Sequence, residues 1–189
     1  MKINDNLTKD QLLAPRQTPK GPMSPFALKE VWENIEEFQA HFTKKGEPLT
    51  FDDLRKINPS DDSTFLYTAA KMGKLDTVLA WGDASTLTTE DFTRKNKFGR
   101  SVLDELTSMR KLDTVFKAEF WTGRVGDMQK LWQRVPAHAH RHFNYREVLA
   151  DANRRSIRQF IETGTPKSDR VRILRPGKPA RRKVAAPRP

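Results

Sequence analysis

The sequence predicts an all-α fold, and three observations carry that expectation. Apolar residues recur at three- and four-residue steps through residues 24–43 and again through 144–163. Two passages between them repeat at an offset of 37–38 residues, and positive charge and proline collect at the C-terminal end. The expected organisation is a flexible N-terminal segment over 1–23, a helical domain over 24–164 and a basic disordered tail over 165–189.

The first helix is expected from Ser24, where Leu28, Val31, Trp32, Ile35, Phe38 and Phe42 form one face. Ser24 suits the N-cap, Pro25 the first helical position and Gly46 the turn beyond the end. The last helix opens on Asn144, with Glu147 three residues on in a capping-box arrangement, and Gly164 can close it. Tyr145, Val148, Leu149, Ala152, Ile157, Phe160 and Ile161 make its apolar face, with Arg154, Arg155 and Arg158 on the remainder.

Between these helices Leu49-Thr50-Phe51-Asp52-Asp53-Leu54 returns as Leu87-Thr88-Thr89-Glu90-Asp91-Phe92, and Lys74-Leu75-Asp76-Thr77-Val78 as Lys111-Leu112-Asp113-Thr114-Val115. A third helical pair over Val115–Trp132 is expected from Phe116, Gly123, Val125, Met128 and Leu131. Thr64-Phe65-Leu66-Tyr67-Thr68-Ala69-Ala70-Lys71-Met72-Gly73 resembles the ankyrin consensus Thr-Pro-Leu-His-x-Ala-x-x-x-Gly. Gly99-Arg100-Ser101-Val102-Leu103 is a degenerate second copy, and neither copy has proline after its Thr or Ser.

The resemblance is to divergent ankyrin-like repeats of bacterial or mobile-element type and covers roughly Leu49 to Pro136. It implies a short stack of ankyrin-like helical pairs, flanked by capping helices at 24–43 and 144–163. Stacked pairs expose turns along one side, so Asn58, Asp61, Asp62, Asn96, Lys97 and Arg100 are the candidate protein-binding residues.

Charge refines the partner. The formal net charge is +11, but residues 165–189 hold nine cations against the single acid Asp169, which leaves +3 for residues 1–164. Such a segment attracts polyanions, so Arg154, Arg155 and Arg158 with Lys178, Arg181, Arg182 and Lys183 are candidate nucleic-acid contacts. Solubilisation of the domain is the alternative use of the same charge.

Composition narrows the chemistry. The chain has no cysteine, which excludes disulfides, thiolate metal sites and a cysteine nucleophile. His138 and His142 stand one helical turn apart, but Arg141 lies between them and a third ligand is missing, so no metal is expected. Trp32, Trp81, Trp121 and Trp132 fall on apolar faces and read as core rather than base-stacking platforms. The acid pairs Asp52/Asp53 and Asp61/Asp62 read as solvated or capping groups, and no phosphate loop or catalytic motif is present. Without an apolar N-terminal run or membrane-spanning stretch, the expectation is a cytoplasmic, non-enzymatic adaptor that binds another protein and needs no cofactor. A nucleic-acid accessory protein and an inhibitory effector of one host protein are the alternatives.

Overall fold

The passage Leu-Thr-x-x-x-apolar occurs three times, at Leu7, Leu49 and Leu87, and each occurrence starts a five-residue helix. A computed structural model describes residues 3, 6–19, 21–82, 84–116 and 121–163 of the chain. The three helices are α1 (Lys9–Leu13), α4 (Phe51–Arg55) and α7 (Thr89–Thr93). Helices this short are unstable alone, because nucleation fixes several residues for one hydrogen bond. Each is held by a capping box, formed by Thr8 with Gln11, Thr50 with Asp53 and Thr88 with Asp91. Each also buries its flanking apolar pair: Leu7 with Leu12, Leu49 with Leu54 and Leu87 with Phe92. That is the hydrophobic-staple spacing, which fixes the angle at which the chain enters the helix.

The segment after each capped helix recurs as well. Beyond α1 comes the hairpin β1 (Arg16–Thr18) and β2 (Gly21–Met23), with Arg16 opposite Met23. Beyond α4 comes β3 (Ile57–Asn58) and β4 (Ser63–Thr64), with Ile57 opposite Thr64. Beyond α7 comes a turn closed by the hydrogen bonds between Asn96 and Arg100. Ser24, Thr64 and Ser101 then cap the next helical element, their hydroxyls accepting from the amides of Phe26, Tyr67 and Asp104. These elements are a 3₁₀ turn over Pro25–Ala27 leading to α2 (Lys29–Glu33), then α5 (Phe65–Lys71), and α8 (Val102–Ser108). Each is followed by a second helix, α3 (Ile35–Lys44), α6 (Leu75–Leu79) or α9 (Leu112–Phe116). The chain continues as α10 (Val125–Trp132), a 3₁₀ turn over Ala137–His142 and α11 (Tyr145–Thr163). The described chain is therefore mostly helical, with two small two-stranded sheets among the described residues.

Successive units are joined in the same order. The Pro25–Ala27 turn packs on α5, α5 on α8, α7 on α10, and α10 on α11. Lys9 reaches the capping carboxylate of α4, with Nζ 2.6 Å from Asp53 Oδ2. Arg55 reaches that of α7 with a fork, Nε to Asp91 Oδ1 at 2.9 Å and Nη2 to Oδ2 at 3.1 Å. Arg124 closes the series on the Leu87 carbonyl at 2.6 Å. One apolar core runs through all these elements, with Trp32, Trp121, Phe26, Phe38, Phe65 and Phe92 among its largest fully buried side chains. Each contributes about 1.5–3 kcal/mol by leaving water. Trp81 and Trp132 are half-buried against the same core.

Two expectations are corrected. The segment 1–23, expected to be flexible, contributes α1 and the first hairpin, and it buries Leu7, Leu12 and Leu13 in the core. The single helix expected over 24–43 is three pieces. Leu28 is extended at φ −74°, ψ 140° and Asn34 leaves helical geometry at φ −117°. The Trp32 indole donates to the Phe26 carbonyl across the first break at 2.7 Å, and the Asn34 amide side chain donates back to the Glu30 carbonyl at the second. These side-chain bonds take up backbone oxygens that the breaks leave free. The α5–α6 turn carries Gly73 at φ +69°, and the matching turn of the next unit carries Arg110 at φ +56°.

Candidate interaction surfaces

The turns 58–62 and 96–100 are both built on a buried asparagine. Asn58 is 4% exposed, and its Nδ2 donates to Ser60 Oγ at 2.6 Å and to Asp61 Oδ1 at 3.0 Å. Asp61 Oδ1 also accepts from the Ser63 amide and hydroxyl, while Asp62 stands exposed with φ +56°. In the second turn Asn96 Oδ1 accepts from the amides of Phe98 and Arg100, both at 3.0 Å, and Gly99 takes φ +73°. An Asx side chain that closes its own loop in this way makes the turn stiff.

The two turns are stitched into one rim. The Lys97 amide donates to the Asp61 carbonyl at 3.1 Å, and Lys97 Nζ donates to the Ser60 carbonyl. Arg100 pairs with Glu105 at 2.9 Å, and the Tyr67 hydroxyl donates to the same carboxylate at 3.2 Å. Burial, then the Glu105 charge, raises the Tyr67 phenol above its ordinary value.

The six expected contact residues therefore divide. Asn58 and Asn96 are buried and Asp61 is engaged within its turn, so these three shape the rim and do not present it. Short polar side chains in turns serve the backbone first. Asp62, Lys97 and Arg100 are exposed. Sequence reasoning missed Phe98, which is 68% exposed with Lys97 Nζ 5.2 Å from its ring centroid. Ile57, at the base of the neighbouring hairpin, is also exposed. The signal was available: Phe98 lies inside a turn, outside any helical period.

The second surface involves α11. A cleft of about 490 Å³ opens between the α8–α9 turn and α11, lined by Arg110, Asp113, Phe116, His142, Glu147 and Arg155 among others. Beneath it Trp132 stacks on Tyr145 with ring centroids 4.3 Å apart. Burial pushes the Tyr145 phenol up to about 12, and its hydroxyl has no hydrogen-bond partner among the described residues. His138 and His142 belong to a 3₁₀ turn and not to an α-helix, so the expected shared face is lost: residues four apart point in different directions at three residues per turn. Among the described residues no three metal-ligating side chains converge.

The arginines of α11 are placed differently from one another. Arg154 is exposed and pairs with Asp151, Arg155 lines the cleft, and Arg158 is exposed. Lys178, Arg181, Arg182 and Lys183 lie outside the described residues. The Asn144 cap is looser than a full box, since Asn144 Nδ2 donates to Glu147 Oε2 at 2.9 Å and the Glu147 amide reaches Asn144 Oδ1 at 3.5 Å. The apolar face of α11 is also divided. Val148, Ala152 and Ser156 are buried, whereas Ile157, Phe160 and Ile161 are exposed. No family model, curated protein or solved structure matches this chain. No helix of the described residues is long and apolar enough to cross a membrane.

Proposed function

We propose that this chain is a non-enzymatic adaptor that binds another protein in the cytoplasm through the joined rim of the turns 58–62 and 96–100, on an ankyrin-like helical-repeat scaffold. The observation that carries the reading is Phe98, a 68% exposed aromatic at the tip of a turn held rigid by a buried asparagine. Interfaces draw most of their affinity from such anchors ringed by polar groups, and Lys97, Arg100 and Asp62 supply the ring. A turn already ordered loses little entropy on binding. The repeat spacing and the matching left-handed positions of Gly73 and Arg110 support the scaffold part of the reading.

Quantitative affinity capture from nuclease-treated extract tests it. Phe98→Ser is expected to lower recovery of the captured partner by about tenfold or more, while stability changes by less than about 0.5 kcal/mol because Phe98 is exposed. A partner recovered equally by both proteins refutes the placement. An inhibitory effector of one host protein would use the same rim.

The exposed Arg154 and Arg158, followed by the basic residues 165–189, favour a second reading as a nucleic-acid accessory protein. Phosphate binding of that kind weakens steeply with salt. Removing residues 165–189 is expected to abolish it; DNA and RNA binding that is indifferent to both salt and this removal excludes that route.

A further inference from the structure

The last two turns of α11 present an apolar stripe that the domain leaves uncovered. Ile157, Phe160 and Ile161 are 46%, 52% and 74% exposed and lie three and four residues apart, on one face. At 100° per residue Arg154 and Arg158 border this stripe on the side away from the core, and both are exposed. The charge of the chain is concentrated from the same point onward. Residues 154–189 contain twelve basic residues against the acids Glu162 and Asp169, so they hold +10 of the formal +11 and leave residues 1–153 near neutrality.

We infer that the C-terminal end of α11 is an interfacial anchor that lies on an anionic lipid surface, inserting Ile157, Phe160 and Ile161 between headgroups while Arg154 and Arg158 hold the lipid phosphates, the formal charge of +10 over residues 154–189 supplying the attraction. The two components are the ones that peripheral attachment requires, a short apolar insertion and a polybasic segment, neither sufficient alone. Each cation near an anionic leaflet is worth about fivefold in partitioning. A second copy of this chain does not suit the stripe, since pairing would bring Arg154 and Arg158 of the two copies together. A nucleic-acid duplex would engage the arginines and leave the aliphatic side chains without a partner, because phosphate contacts need only charge.

Flotation of the full chain with vesicles of phosphatidylcholine, with and without about 30 mol% phosphatidylserine, tests the inference. Binding is expected only to the anionic vesicles, and only partial release at high salt. Replacing the stripe by Ile157→Ser, Phe160→Ser and Ile161→Ser is expected to lower partitioning by about tenfold and make the remainder fully salt-sensitive. Arg154→Gln with Arg158→Gln should weaken it by about twenty-fivefold, at about fivefold for each cation. All five side chains are exposed, so the fold is retained. Affinity for a short DNA duplex, measured in parallel, should be unchanged by the three serines. The inference is overturned by no binding to anionic vesicles, by equal partitioning of the serine variant, by an equal loss of DNA affinity in that variant, or by a wild-type dimer that the serines convert to monomer.

Discussion

Arg110 shows how much one residue can disclose. It sits at φ +56° in the turn between α8 and α9, where the preceding unit has Gly73 at φ +69°. A side chain with a Cβ is disfavoured there by about 1–2 kcal/mol. Arg110→Gly is therefore expected to stabilise the protein by about 0.5–1 kcal/mol in urea melts, the relief of strain being partly offset by the greater freedom of glycine in the unfolded chain. Asp62, at φ +56° in the β3–β4 turn, is a control, because aspartate tolerates this conformation. Asp62→Gly should change stability by much less, and equal gains at both positions would remove steric strain as the explanation. Arg110 also lines the cleft beside α11.

At the scale of elements, the five-residue helices depend on their capping carboxylates. Burial alone would raise the Asp91 carboxyl, but hydrogen bonds from Arg55 and from Thr88 outweigh it and leave its pKa below the ordinary value. Asp53 behaves in the same way, with Lys9 and the Thr50 amide opposing burial. A carboxylate with a lowered folded pKa contributes stability that is fully present above its unfolded value near ~4 and is lost as the pH falls through the folded value. Stability should thus decline as the pH is taken from about 5 toward about 2. Asp91→Asn is expected to cost about 2 kcal/mol at neutral pH and to flatten that decline, since it removes one of the groups responsible. An unchanged acid dependence in Asp91→Asn would show that other carboxylates govern it. The paired Leu49-Thr50 and Leu87-Thr88 passages, which open the capped helices α4 and α7, could be read in advance as a repeat. The equivalent α1 could not, because Gln11 stands where the others have aspartate and the spacing to the next copy is 42 residues in place of 38. The breaks at Leu28 and Asn34 were also hidden: Leu28 suits a helix, Asn34 is only mildly unfavourable in one, and the bonds from Trp32 to the Phe26 carbonyl and from Asn34 to the Glu30 carbonyl that accompany the breaks depend on side-chain placement.

At the scale of the molecule, buried positions among the described residues run from Leu7 to Ser156, and none follows among those up to Thr163. Leu12→Ala should cost about 2–5 kcal/mol, since Leu12 is fully buried although it lies in a stretch that charge and polarity mark as a loose end. Ile161→Ala should cost less than about 0.5 kcal/mol despite its place in a regular apolar period. Thermal melts of the two variants test both claims, and similar losses would contradict a packing boundary at Ser156. Periodicity locates an apolar face, but whether a neighbour covers it depends on where α10 and the Trp121–Arg124 segment end against α11. The Gly123 amide meets the Ser156 hydroxyl at 2.8 Å, and Ser156 is the last buried position of that helix.

The ion pairs between capped helices run in one direction along the chain. Lys9 precedes Asp53 and Arg55 precedes Asp91, while the first capping box uses the neutral Gln11 and needs no counter-ion. During synthesis, the capping carboxylates of α4 and α7 therefore emerge after the cations that reach them from the preceding unit. The units that begin at α4 and α7 can each dock on the one already made.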